Sequence, residues 1–121
     1  MAAFGTQFTT RMVSSHYQDA HWSELAVVPV EPLALHPATH VLHYASECFE
    51  GLKAYRTASG SIHLFRPGRH VERMINSAAQ LLLPIPGALA LERSLHMAVA
   101  AVQEEIPAYP GALYLRPTLF G

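Results

Sequence analysis

After Pro67-Gly68 the apolar residues of this chain change their period. Before that point they come in short strand-like runs. Beyond it Val71, Met74, Ile75, Ala78 and Leu82 recur three and four apart, which is the spacing of one helix face. The spacing predicts a helix that stops before Pro84, because proline disfavours helical backbone in the residue ahead of it. Pro84-Ile85-Pro86-Gly87 is then a connection. A second helix carries Leu91, Leu95, Ala98, Val99, Val102 and Ile106 on one face, and Pro107 with the Tyr109-Pro110-Gly111 turn ends it. Upstream, residues 8–17 and 26–30 have the β-branched and aromatic content of strands. Thr57-Ala58-Ser59-Gly60-Ser61 is a turn joining strand-like residues 51–56 and 62–66 into a hairpin, and Gly51 marks either a bulge or a close backbone approach. A final strand covers residues 112–121. Strands, two helices and a strand define an α+β class: an antiparallel-type sheet with two helices packed on it.

Half of the 121 residues are hydrophobic and 14% are charged, enough apolar material for one domain with a real core. The formal net charge of -1 offers no basic field to nucleic acid or an anionic membrane. No stretch approaches the apolar length that spans a bilayer. Residues 1–10 lack the basic start and apolar run of a secretory signal. Cys48 is the sole cysteine and has no internal disulfide partner, so a reducing, cytoplasmic location is expected. The closing run ALYLRPTLFG stops without polar residues or a cap, which suggests a cut polypeptide; a docked terminal strand is the alternative.

The chemistry-bearing residues gather in a few places. Residues 42–56, LHYASECFEGLKAYR, mix aromatics, acids and cations in an apolar setting and hold Lys53, the only lysine. Tyr44 and Phe49 flank Glu47 and Cys48; core packing is the ordinary reading, and Cys48 has no local base to make it a nucleophile. Arg73 falls with Asn76, Ser77 and Gln80 on the polar side of the first helix. A solvated arginine is the ordinary reading there, and an anion site gripped by a bidentate guanidinium is the sharper one. Tyr114 and Arg116, two apart, share one strand face and suit either a carboxylate-binding pair or the polar face of an edge strand. His36, His40 and His43 are close in sequence, but Pro37 breaks the register that would align them, and no metal site is expected. The chain has neither a glycine-rich phosphate loop nor a nucleophile elbow.

LHYASECFEGLKAYR, followed by IHLFRPGRHVERMINSAAQLLLP, closely resembles the branched-chain amino acid aminotransferases, which are class IV, fold-type IV enzymes of pyridoxal 5′-phosphate. FGTQFTTRM near the start and the tyrosine-x-arginine-proline run ALYLRPTLFG extend the likeness to nearly the whole chain. The resemblance implies that residues 1–121 are the small N-terminal domain of a two-domain enzyme. A larger C-terminal domain, absent here, would supply the Schiff-base lysine, so no catalytic residue is expected in this chain, which would be inactive alone. The implied reaction moves an amino group from leucine, isoleucine or valine to 2-oxoglutarate, within amino-acid biosynthesis, in a homodimer or higher oligomer. Arg73 would contact the cofactor phosphate. Phe4, Tyr44 and Phe49 would line the pocket for a branched side chain, with Tyr114 and Arg116 near the substrate and Arg116 on the distal carboxylate of glutamate. Lys53 stands where the family commonly has a non-catalytic lysine. Thr10-Arg11 replaces a common Asp-His pair, and His70 a common asparagine. The alternatives are another class IV enzyme, a D-amino acid aminotransferase or aminodeoxychorismate lyase, or a stand-alone non-catalytic interaction module.

Overall fold

A computed structural model describes residues 3–121. Strand β1 (Arg11–Ser14) pairs antiparallel with β4 (Ala26–Pro29), setting Met12 opposite Val28. Between them β2 (Tyr17–Gln18) and β3 (His21–Trp22) form a two-residue hairpin. Its turn residues Asp19 and Ala20 both have positive φ, 52° and 66°, the backbone of mirror-image turns whose twist suits a tight hairpin. A five-residue helix α1 (His40–Tyr44) follows and ends at Ala45 in the left-handed region. Next come β5 (Glu47–Phe49), β6 (Leu52–Arg56), β7 (Ile62–Leu64), α2 (Pro67–Gln80), α3 (Ala88–Ala101), a 3-10 turn at Gln103–Glu105, β8 (Leu113–Leu115) and β9 (Thr118–Phe120).

The sheet expected from sequence is divided into small antiparallel ladders. β6 is the centre of a three-stranded sheet between β7 and β8, while β5 pairs with β9. The first part of β6 alternates: Leu52 and Ala54 are buried and Lys53 between them is exposed. α2 buries Val71, Met74 and Ala78, and α3 buries Leu91 and Leu95. These meet Cys48, Leu115 and Leu119 from the strands in one core. α2 packs on α3 and β5, and α3 packs on β1 and β4, so the helical layer bridges the ladders. The expected α+β class with two packed helices is therefore found.

Several expectations are corrected. Leu82 is not on the buried helix face: it lies past the end of α2 with φ 55° and is 91% exposed. Leu83 N–H bonds to Ala78 C=O and Leu82 N–H to Ala79 C=O, a paired closure that turns the chain and brings Leu83, one residue later, onto the core. Residues 8–17 are not one strand, since ladder pairing begins at Arg11 and breaks after Ser14. The run 112–121 is likewise two strands. Pro117 has no N–H to give a ladder; its carbonyl accepts from Glu50 N–H at 3.0 Å, and the chain passes from the β6 sheet to the β5 ladder there. Ile106 is buried as expected, but it is reached through the 3-10 turn rather than along the helix.

Two polar ties hold the ends of the helical layer. The Arg56 guanidinium donates to the carbonyls of Gln103 at 2.5 Å and Ile106 at 3.3 Å, satisfying acceptors just past α3. Glu105 accepts from the backbone N–H of Thr10 at 2.9 Å and from its hydroxyl at 2.7 Å, fastening the segment that leads into β1.

Candidate functional site

The connection between β5 and β6, one face of α2 and the start of the β8–β9 segment surround an open hollow of about 580 Å³. Phe49 is the last residue of β5, and Glu50 and Gly51 form the connection. Arg73, Asn76, Ser77 and Gln80 come from α2, spaced so that they share the face opposite its buried residues. Tyr114 comes from β8. The polar face inferred from helical spacing thus faces a concavity.

The α2 wall is organised by Glu50. Its side chain is buried, with 5% of the residue exposed. Arg73 donates Nε–H to Oε1 at 2.7 Å and Nη2–H to Oε2 at 2.5 Å, a bidentate pair. His70 Nδ1 lies 3.3 Å from the same Oε2. The Arg73 hydrogen bond holds the Glu50 carboxyl below its ordinary range, against burial, which pushes it up; the His70 hydrogen bond adds to the lowering. Arg73 is shifted up by the same Glu50 partner. Arg73 itself is 69% exposed along its side chain, so the pair is anchored at the acid end and open at the cation end.

The opposite wall is aromatic. Arg116 stacks its guanidinium 4.2 Å from the Phe49 ring centroid and donates Nη2–H to Tyr114 Oη at 2.8 Å. Phe4 meets the Tyr114 ring edge-on at 4.9 Å. Gly51 makes room for this: a Cβ there would lie 2.8 Å from Tyr114 Cζ, inside contact distance. The close approach, not a bulge, is the reason for the glycine.

The structure therefore places Phe49, Arg73 and Tyr114 on the lining of one hollow, with Phe4 packed on Tyr114 and Arg116 on Phe49 and Tyr114. Phe49 is 54% exposed, which overturns core packing as its role. Tyr44 is elsewhere: it is 72% exposed on α1, and its ring rests 4.4 Å from that of His40. Cys48 is buried, and burial, with Glu47 and Glu50 nearby, pushes its thiol up, away from a nucleophile. His40 Nδ1 meets Ser46 Oγ at 2.6 Å and His43 Nε2 meets the Pro37 carbonyl at 2.7 Å, so these rings serve local bonds; no group that could hold a metal occurs among the described residues. Lys53 stands opposite Tyr114 in the β6–β8 register but does not line the hollow. Glu50 is the residue that sequence reasoning missed. Its sequence neighbours Phe49 and Gly51 give no sign of this role, which depends on Arg73 and His70 much farther along the chain.

No family model matches the chain. Its sequence is 44% identical to the branched-chain-amino-acid aminotransferase of Mycobacterium tuberculosis (strain ATCC 25618 / H37Rv), over 97% of this chain and 33% of that protein. The chain is a relative of the branched-chain aminotransferases. The cytosolic branched-chain aminotransferase of Ovis aries is 38% identical over 98% of this chain and 31% of its own length. Among solved structures, a T.th. branched-chain aminotransferase complexed with N-(5′-phosphopyridoxyl)-L-glutamate superposes with a TM-score of 0.66 at 33% identity, covering 78% of this chain and 30% of that one. That of Thermoproteus uzoniensis with norvaline superposes at 0.67 with 26% identity, covering 91% and 33%. The chain spans about a third of the length of these aminotransferases. The likeness first carried by residues 42–56 and 112–121 thus extends through sequence and fold.

Proposed function

We propose that this chain is the small N-terminal domain of a pyridoxal-phosphate-dependent branched-chain aminotransferase. The intact enzyme carries amino groups from leucine, isoleucine or valine to 2-oxoglutarate. The supporting observation is one hollow with a fixed cation on one wall and an aromatic surface carrying a second cation on the other. Its volume lies in the range of about 300–1,000 Å³ usual for small-ligand sites. The α2 wall suits a phosphate, because Arg73 keeps its Nη1 edge clear of Glu50 and Asn76, Ser77 and Gln80 add polar side chains beside it.

In this reading Arg73 holds the cofactor phosphate. The cofactor, when bound, supplies an electron sink for the carbanion formed at the amino acid. Phe49, Phe4 and Tyr114 exclude water from the side-chain end of the substrate. Arg116 lies over Phe49 when that side chain is apolar and meets the distal carboxylate when it is glutamate's, so one pocket takes both. Tyr44 would join from α1 only across an assembled partner or domain. The lysine that carries the cofactor comes from the remaining two thirds of a full-length aminotransferase. We further assign the enzyme to the cytoplasm as a homodimer. The single buried cysteine is compatible with the former, and the exposed Phe8, Leu42, Phe65 and Leu89 with the latter.

The test uses the intact protein. It is expected to show a cofactor absorbance band, to transaminate leucine with 2-oxoglutarate and to scatter light as a dimer. Arg73→Ala is expected to weaken cofactor retention by roughly tenfold or more, the scale of hydrogen bonds to a charged group. Unchanged retention would sink the phosphate assignment.

A further inference from the structure

The bidentate pair between Glu50 and Arg73 changes what Arg73 can offer a ligand. A guanidinium has two edges able to make paired hydrogen bonds: the side-on edge of Nε and one Nη, and the end-on edge of the two Nη atoms. Glu50 occupies the side-on edge through Oε1 and Oε2. Glu50 is itself held tightly, being buried, with its N–H on the Pro117 carbonyl at 3.0 Å and its Oε2 shared with His70 Nδ1. We propose that Glu50 is a positioning residue, which fixes the exposed Arg73 side chain so that only its end-on edge meets a phosphate-bearing ligand in the hollow.

The inference rests on the reading of Arg73 as the phosphate ligand and deepens it. Charge alone does not account for Glu50. A carboxylate beside the cation offsets most of its attraction for an anion, so a site built for charge would be better without it. Arginine is a long side chain with much rotamer freedom to lose, and a largely exposed one would surrender that freedom on binding. The buried acid removes the freedom beforehand. His70, on the first turns of the same helix, holds the second carboxylate oxygen and completes the clamp.

The experiment titrates inorganic phosphate into the protein and its variants, following the Arg73 side-chain nitrogens by ¹⁵N NMR. In the unsubstituted protein, phosphate is expected to move the Arg73 Nη signals and leave Nε–H in place. A matching shift of Nε–H would mean that the anion displaces Glu50, and would overturn the proposal. Glu50→Gln keeps the shape but sets an amide N–H₂ against an arginine N–H. It is expected to weaken phosphate binding roughly tenfold, the scale on which orienting partners act, although the site becomes more positive. Unchanged or tighter binding shows that Glu50 only offsets charge, and overturns the proposal. Arg73→Ala separates the two readings. If Arg73→Ala loses binding and Glu50→Gln does not, positioning alone fails; if Arg73→Ala loses nothing, the phosphate reading fails and the proposal with it. Should Glu50→Gln not fold, the Nε–H response of the unsubstituted protein still decides.

Discussion

Arg73, which lines the hollow, and Arg116, which lies on its lining residues Phe49 and Tyr114, are held in opposite ways. Arg73 rises from a helix and is gripped by a buried carboxylate along one whole edge. Arg116 follows a short strand and lies on a ring, with one hydrogen bond to a phenol oxygen. A paired charge fixes direction, because two parallel bonds admit one geometry. A stacked charge fixes little beyond height above the ring, since cation–π attraction tolerates sliding. On the proposed function, the first wall suits a cofactor that stays bound. On the same proposal, the second suits substrate side chains of differing kind.

The contrast can be broken most severely through the seat of α2. Met74 is 4% exposed and sits one residue after Arg73 on the buried face. Met74→Ala is expected to cost about 3 kcal/mol, the usual range for truncating a buried side chain. It should disturb the Arg73 signals while leaving those of Arg116, as denaturant unfolding and NMR would show. The aromatic wall is addressed next by Gly51→Ala. The new methyl displaces the far end of the Tyr114 ring, which can swing, so the expected cost is about 1 kcal/mol. The Arg116–Tyr114 bond is then lost and the Glu50–Arg73 pair kept; an unchanged Tyr114 ring environment would contradict the close-approach argument. The gentlest probe is acid. Glu50 has a lowered folded-state pKa, so its contribution to stability is full above the unfolded value and is lost as pH falls through the folded one. Stability measured against pH should fall below the usual carboxylate range less steeply in Glu50→Gln than in the unsubstituted protein. Identical slopes would mean that the pair contributes nothing.

How much of this was legible follows from which signals are local. Helical period placed α2, α3 and the shared face of Arg73, Asn76, Ser77 and Gln80, because side-chain direction in a helix is set by spacing alone. The β6–β7 hairpin was legible from its turn. The breaks at Leu82 and Pro117 were not, since each depends on a partner distant in sequence or on a non-glycine residue adopting positive φ. Tyr44 and Phe49 looked equivalent in the sequence, yet one stands on α1 beside a histidine and the other under Arg116. Glu50 was invisible as a site residue for the same reason: its meaning lies in Arg73, His70 and Pro117, which three-dimensional folding alone brings to it.

Gly51 carries a consequence of a different kind. The hollow owes part of its shape to a missing carbon, since Tyr114 occupies the volume where residue 51 would otherwise place its side chain. Every other amino acid brings that carbon with it. A side chain at position 51 is therefore accommodated only when residue 114 shrinks or turns aside. Two residues far apart in the sequence thus share one volume, although neither forms a bond to the other.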